Sequence, residues 1–195
     1  MADYSQKSYF EDLNFDKIDF SEKSLDKGEY ELCEFKDCNF YKADLFEIVF
    51  IDCKFTGCNF TLANIAQTAI RKAKFKDCKL LGLHFDHCNP FLFEVSFENC
   101  NLNLSSFYQL KLKSTHFKNC TLHEADFSSA DLSSSKFEEC DLIHAKFDQS
   151  NLEKADFVTA FNFQINPENN KIKKAKFSLH GLPGLLSKYD IYVEV

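Results

Sequence analysis

Large apolar residues return at every fifth position along almost the whole chain, and neither common regular element has that period. Helices want an apolar residue every 3.6 positions and strands every second one. Here the run is Phe10, Phe15, Phe20, Leu25, Tyr30, Phe35, Phe40, Leu45, Phe50, Phe55, Phe60, Ile65, Ile70, Phe75, Leu80 and Phe85. Pro90 takes the next slot, the register slips by two, and the run resumes at Phe97 and continues five by five to Phe157. Seventeen of the 23 phenylalanines fill these slots, so the period carries the core. The residue two before each slot is usually small, as at Ala43, Ala73, Ser105, Ala125 and Ala145, and all nine cysteines sit there.

A longer period lies on top. Cys38, Cys58, Cys78, Cys100, Cys120 and Cys140 are spaced 20, 20, 22, 20 and 20, the single 22 containing the slip. From Phe97 onward, Phe and Leu alternate strictly at the slots. Both observations follow if four pentapeptides make one turn and equivalent residues stack on the next. The six cysteines then form one inner column, and Phe97, Phe117, Phe137 and Phe157 form one stack. Such a chain is a repeat solenoid, in which stacked neighbours create the core.

The units ADLFE (43–47), ADFSS (125–129), ADLSS (130–134) and ADFVT (155–159) resemble the A(D/N)LXX motif of the pentapeptide-repeat family. The resemblance covers about residues 8–159. It implies an all-β fold, a right-handed quadrilateral parallel β-helix of about 7–8 coils. Residues 1–30 are expected to form an irregular N-terminal cap, because Leu13 and Ile18 are large where a small residue belongs. Residues 31–159 are expected to be the regular helix, with a kink at 88–97 around Pro90 that is either a mere register correction or a display of Phe91, Leu92 and Phe93 to a partner. Residues 160–195 read as a C-terminal cap: a loop at 164–170, one last strand near Phe177, a short helix at 182–189 and a strand-like tail at 190–195. Capping an open sheet end prevents edge pairing. A homodimer contact through this segment is the alternative role.

The tempting chemistry does not assemble. Stacked cysteines keep parallel Cβ vectors, so their sulfurs stay too far apart for disulfides. Nine is an odd count, and free, buried thiols are expected. In HFDHC (84–88) the register turns His84 and His87 outward and Cys88 inward, so no metal site is expected. No GxSxG motif or paired-carboxylate cleft appears, and no catalytic residue or cofactor is expected. Only five glycines argue against a glycine-rich phosphate loop, and no apolar run is long enough to cross a membrane. MADYSQKSYF lacks the pattern of a signal peptide, so a cytoplasmic protein is expected.

Function is therefore expected on the outer faces, as non-enzymatic binding of a protein partner. The net charge of −7 argues against direct nucleic-acid binding, yet residues 53–93 carry six bases against two acids. Tyr41, Leu62, Leu81, Leu104 and Ile143 share the face of the cysteine column and are a candidate partner face. The family resemblance implies an alternative. It includes the Qnr and MfpA-like quinolone-resistance proteins, rods that mimic duplex DNA and act on DNA gyrase and topoisomerase IV. On that reading the acidic contacts are Glu98, Glu138 and Glu139, which share one face.

Overall fold

The computed structural model describes residues 8–192, and the five-residue period is its organising geometry. From Cys33 to Ile165 almost every slot residue and the small residue two before it are buried, while the three between them face solvent. Each turn has four faces. On the first, β1 (Ser8–Glu11), β3 (Gly28–Glu31), β5 (Val49–Ile51) and β7 (Ala69–Arg71) form a four-stranded parallel sheet; strands are numbered in chain order. The second face is a nine-stranded parallel sheet. It runs through β2 (Asn14–Asp16), β4 (Glu34–Lys36), β6 (Lys54–Thr56), β8 (Ala73–Lys76), β9 (Val95–Glu98), β10 (His116–Lys118), β11 (Lys136–Glu138), β12 (Asp156–Phe157) and β13 (Lys176–Phe177). Nine strands at about 4.8 Å make a rod roughly 38 Å long. Register is strict: Phe35 pairs with Phe55, and across the slip Phe75 pairs with Phe97. The third and fourth faces are held by single bridges such as Asn39–Asn59 and Asp126–Lys146.

Most corners are made by a residue in the left-handed region, and most of these residues are not glycine: Asp37 has φ 51°, Leu62 58°, Leu104 59° and Glu139 52°. That conformation costs an L-residue roughly 1–2 kcal/mol. It is offset because it points the corner N–H at the next coil. Asp37 N–H donates to Thr56 O at 2.8 Å and Leu104 N–H to His123 O at 2.8 Å.

The interior is a ladder of rings. Phe97, Phe117, Phe137 and Phe157 stack with centroids 5.3, 4.8 and 4.7 Å apart. Phe107, Phe127 and Phe147 form a second stack, and rings of the two meet edge to face, as for Phe117 and Phe127 at 5.8 Å and 85°. Both arrangements suit the ring quadrupole. The small slot follows its own rule. Its thiol or hydroxyl donates to a carbonyl one coil back: Cys38 to Phe15 O (3.4 Å), Cys140 to Phe117 O (3.4 Å), Ser135 to Leu112 O (2.6 Å) and Thr68 to Leu45 O (2.7 Å). The polar groups buried in this slot are thus satisfied by the coil before.

All nine cysteines are free and buried. Burial pushes the Cys53 thiol up to about 12 and also raises Cys33 and Cys88. A raised thiol stays protonated and unreactive near neutrality. The native protein at pH 8 is therefore expected to react with no equivalents of Ellman's reagent, and with nine after unfolding in guanidinium. Rapid labelling of the native protein contradicts the inward column.

At the N-terminal end, Ser8–Glu11 and Asn14–Asp16 already pair in register with the next coil. Gly28 permits this, since a Cβ there would stand 2.3 Å from Ser8 O. At the other end the slot after Phe157 passes to Asn162, which turns outward, and Phe163 swings in. A short helix, α1 (Pro183–Leu186), lies over Phe163, with Gly184 against its ring and Gly184 O accepting from Ile165 N–H at 3.0 Å.

Two expectations need correction. Phe93 is not displayed at the kink. It is 9% exposed and packs edge-on against Phe85 at 6.2 Å, while Pro90 leaves the core slot for solvent. The two extra residues let the larger apolar side chain fill the gap. The tail at 190–195 does not begin as a strand: Asp190 is left-handed at φ 49°, and Ile191 and Tyr192 carry no regular structure. Residues 193–195 lie outside the described residues.

Candidate functional site

The insertion breaks the first face. Ala69 still bridges to Asn89, but the chain then runs outward through Pro90, Phe91 and Leu92 before Glu94 N–H returns to Ile70 O at 3.2 Å. Above the break the ladder restarts at Lys111–Asp131. A groove of about 700 Å³ is left between the two halves. Leu92 forms one wall, and Arg71, Lys72, Lys111, Lys113 and His116 line it, outnumbering Asp52 and Glu94. Phe91 and Leu92 are the most exposed apolar pair within the repeats, at 64% and 63%. The Arg71 guanidinium lies 5.7 Å from the Phe91 ring centroid, while its Nε is buried without a hydrogen-bond partner. A smaller depression continues onto the second face past Lys54, Lys74, Lys76 and Lys118.

Glu98 and Glu138 stand on that second face among cations. Glu98 meets Lys76 at 3.6 Å and Lys118 at 3.7 Å. Glu138 meets His116 at 3.2 Å and also pairs with Lys136, whose ammonium holds the carboxyl below its usual range. Glu139 sits on the adjoining corner, its backbone N–H donating to Thr159 Oγ1 at 3.0 Å.

On the face of the cysteine column, Tyr41, Leu62 and Leu104 are exposed, whereas Leu81 and Ile143 are half-buried. Leu62 and Leu104 occupy the same corner two coils apart, with Gly82 between them. The column itself, Cys38, Cys58, Cys78, Cys100, Cys120 and Cys140, is buried throughout. The basic groove was not visible in the sequence as a site. Its one signal was the local excess of bases over residues 53–93, to which the fold adds Lys111, Lys113 and His116 from the next coil.

A family model described as a pentapeptide repeat region matches residues 91–162, and one described as pentapeptide repeats (8 copies) matches 33–68 and 43–82. The chain belongs to the pentapeptide-repeat family. Among solved structures this pentapeptide-repeat rod is similar to a trypsin-treated form of QnrB1, a plasmid-mediated fluoroquinolone resistance protein. That match has 18% identity over 96% of this chain and 92% of the other, with a TM-score of 0.58, and it shows the shared fold. Full-length QnrB1 matches at 17% identity over 94% and 100%, TM-score 0.48. HetL, involved in heterocyst differentiation regulation in the cyanobacterium Nostoc, matches at 14% over 90% and 86%, TM-score 0.34. No curated protein matches by sequence. No helix among the described residues is long and apolar enough to cross a membrane.

Proposed function

We propose that this pentapeptide-repeat rod is a non-enzymatic binding protein that docks an acidic segment of a protein partner in the groove at its kink. The observation that carries this reading is the pairing of two exposed apolar residues, Phe91 and Leu92, with a groove whose cations outnumber its acids and whose Arg71 Nε lacks a partner. An apolar anchor rimmed by charge is the usual anatomy of a binding hot spot. Partner carboxylates satisfy the orphaned donor with charge-assisted hydrogen bonds. The alternative, DNA mimicry toward DNA gyrase or topoisomerase IV, needs a run of free carboxylates. The ion pairs that hold Glu98 and Glu138 weigh against it.

Immobilised protein tests the reading against extract of the cells that make it. Phe91→Asp with Leu92→Asp, or Arg71→Glu with Lys113→Glu, is expected to lower partner retention about 30-fold or more, in line with loss of hot-spot residues. Leu62→Asp with Leu104→Asp is expected to leave it unchanged. Retention also falls as salt screens the cations. Retention that depends on Leu62 and Leu104, or is abolished by nuclease, overturns the groove assignment. A supercoiling assay with DNA gyrase covers the alternative: salt-sensitive inhibition that is lost on neutralising Glu98, Glu138 and Glu139 would favour mimicry.

A further inference from the structure

The corner column that runs Glu47, Gln67, His87, Gln109, Ser129 and Gln149 breaks its rule once. The other five are left-handed, with φ between 55° and 62°. At His87 the chain instead winds a single 3₁₀ turn, Phe85–His87, closed by His87 N–H to His84 O at 3.2 Å and Cys88 N–H to Phe85 O at 3.0 Å. Residues three apart eclipse in a 3₁₀ turn. His84 and His87, which an ordinary corner would splay apart, therefore stack with ring centroids 4.9 Å apart and planes 14° from parallel.

Asp86 approaches both rings. Its carboxylate is mostly buried, with Oδ1 3.4 Å from His84 Nδ1 and Oδ2 3.6 Å from His87 Nε2. No lysine or arginine pairs with it among the described residues, and Oδ1 is buried without a hydrogen-bond partner. An unsatisfied buried carboxylate oxygen is unfavourable unless something cationic completes it. One ligand atom from each of the three side chains lies within 4.8 Å of the other two. Tetrahedral zinc with bonds of about 2.0–2.1 Å spaces its ligands about 3.3 Å apart, and each imidazole nitrogen already stands near that spacing from one oxygen of the Asp86 carboxylate. Both rings are exposed, so they are free to rotate and bring the three ligand atoms onto one ion.

We propose that His84, Asp86 and His87 form a binding site for Zn²⁺, or a divalent first-row cation like it, on the fourth face of the rod. Two imidazole nitrogens and one carboxylate are a donor set suited to such ions. Three protein ligands leave a fourth position open to water or to a donor from another molecule. Cys88 takes no part. Its side chain is buried and its thiol donates inward to Ile65 O at 3.4 Å. The site is independent of the groove at the kink, and the failure of one leaves the other standing.

The test is calorimetric titration of Zn²⁺ into chelator-stripped, fully reduced protein. Wild type is expected to take up one ion per chain. His84→Ala, His87→Ala and Asp86→Asn are each expected to weaken binding at least about tenfold, in keeping with the loss of a ligand. His123→Ala and His144→Ala are expected to change nothing. The substituted imidazoles are exposed, so unchanged circular dichroism will verify that the variants keep the fold. No uptake by wild type at submillimolar Zn²⁺ overturns the site, as does uptake that survives His84→Ala combined with His87→Ala.

Discussion

Cys100→Lys is expected to leave no folded rod at 25 °C. Cys100 is 2% exposed and lies near the middle of the thiol column, its S–H donating to Glu98 O at 3.3 Å and Phe75 O at 3.5 Å. The space around it is filled by apolar side chains such as Phe97 and Leu102. A lysine there adds volume to a packed core, at about 1–3 kcal/mol, and places an ammonium in a buried apolar cluster, at several kcal/mol more. Domain stabilities are about 5–15 kcal/mol, so the sum removes most or all of it. The central position aggravates the effect, because a solenoid coil contributes through both of its neighbours. Cys100→Ala is the control. It keeps the volume small and gives up only a weak thiol hydrogen bond, so it is expected to melt within a few degrees of wild type. Circular dichroism melts of the three proteins decide the matter. A lysine variant that melts like wild type would mean the column does not point inward.

Phe117→Ala is expected to cost about 3–5 kcal/mol, the range for deleting a fully buried phenylalanine. Phe117 has no exposed surface, stacks on Phe97 and Phe137 at 5.3 and 4.8 Å, and meets Phe107 and Phe127 edge-on at 5.9 and 5.8 Å. The backbone ladder fixes coil spacing, so the neighbours cannot collapse into the hole, and cavity energy adds to the lost transfer energy. Phe177→Ala is the useful comparison. Phe177 is only partly buried and stacks on one side, on Phe157 at 5.4 Å. Its loss is expected to cost well under half as much, because only a terminal coil is freed. Urea titration reads both. Equal losses at the two positions would contradict a continuous core held by nearest-neighbour stacking.

The five-residue period made the fold legible because it codes the in-or-out choice directly. A large residue fills each slot and a small one precedes it by two, so the thiol column and the Phe97–Phe157 stack followed from spacing alone. What the period does not code is what happens on the outside. Leu62 and Leu104 share a corner, but a column is interrupted wherever a glycine such as Gly82 intervenes. Glu98 and Glu138 share a face, but their cross-coil partners, Lys76 and Lys118 for Glu98 and His116 for Glu138, depend on the coils that stack on them. The kink was visible as a slip of two, while the exchange of Pro90 for Phe93 in the core was not, since either residue fits the slot by count. Likewise His84 and His87 both occupy solvent positions in the register. Their convergence on Asp86 arises from a local change of turn type that leaves the apolar pattern untouched.

The most direct test of the docking groove is photocrosslinking. A benzoylphenylalanine placed at Phe91, which is exposed beside Arg71, reports what covers the kink, and one placed at Leu104 reports the cysteine-column face. Irradiation in cell extract is expected to give a protein adduct from position 91 that fades with added salt and is lost with Arg71→Glu and Lys113→Glu. A nuclease-sensitive adduct at position 91, or a protein adduct at position 104 with none at 91, would contradict docking at the groove.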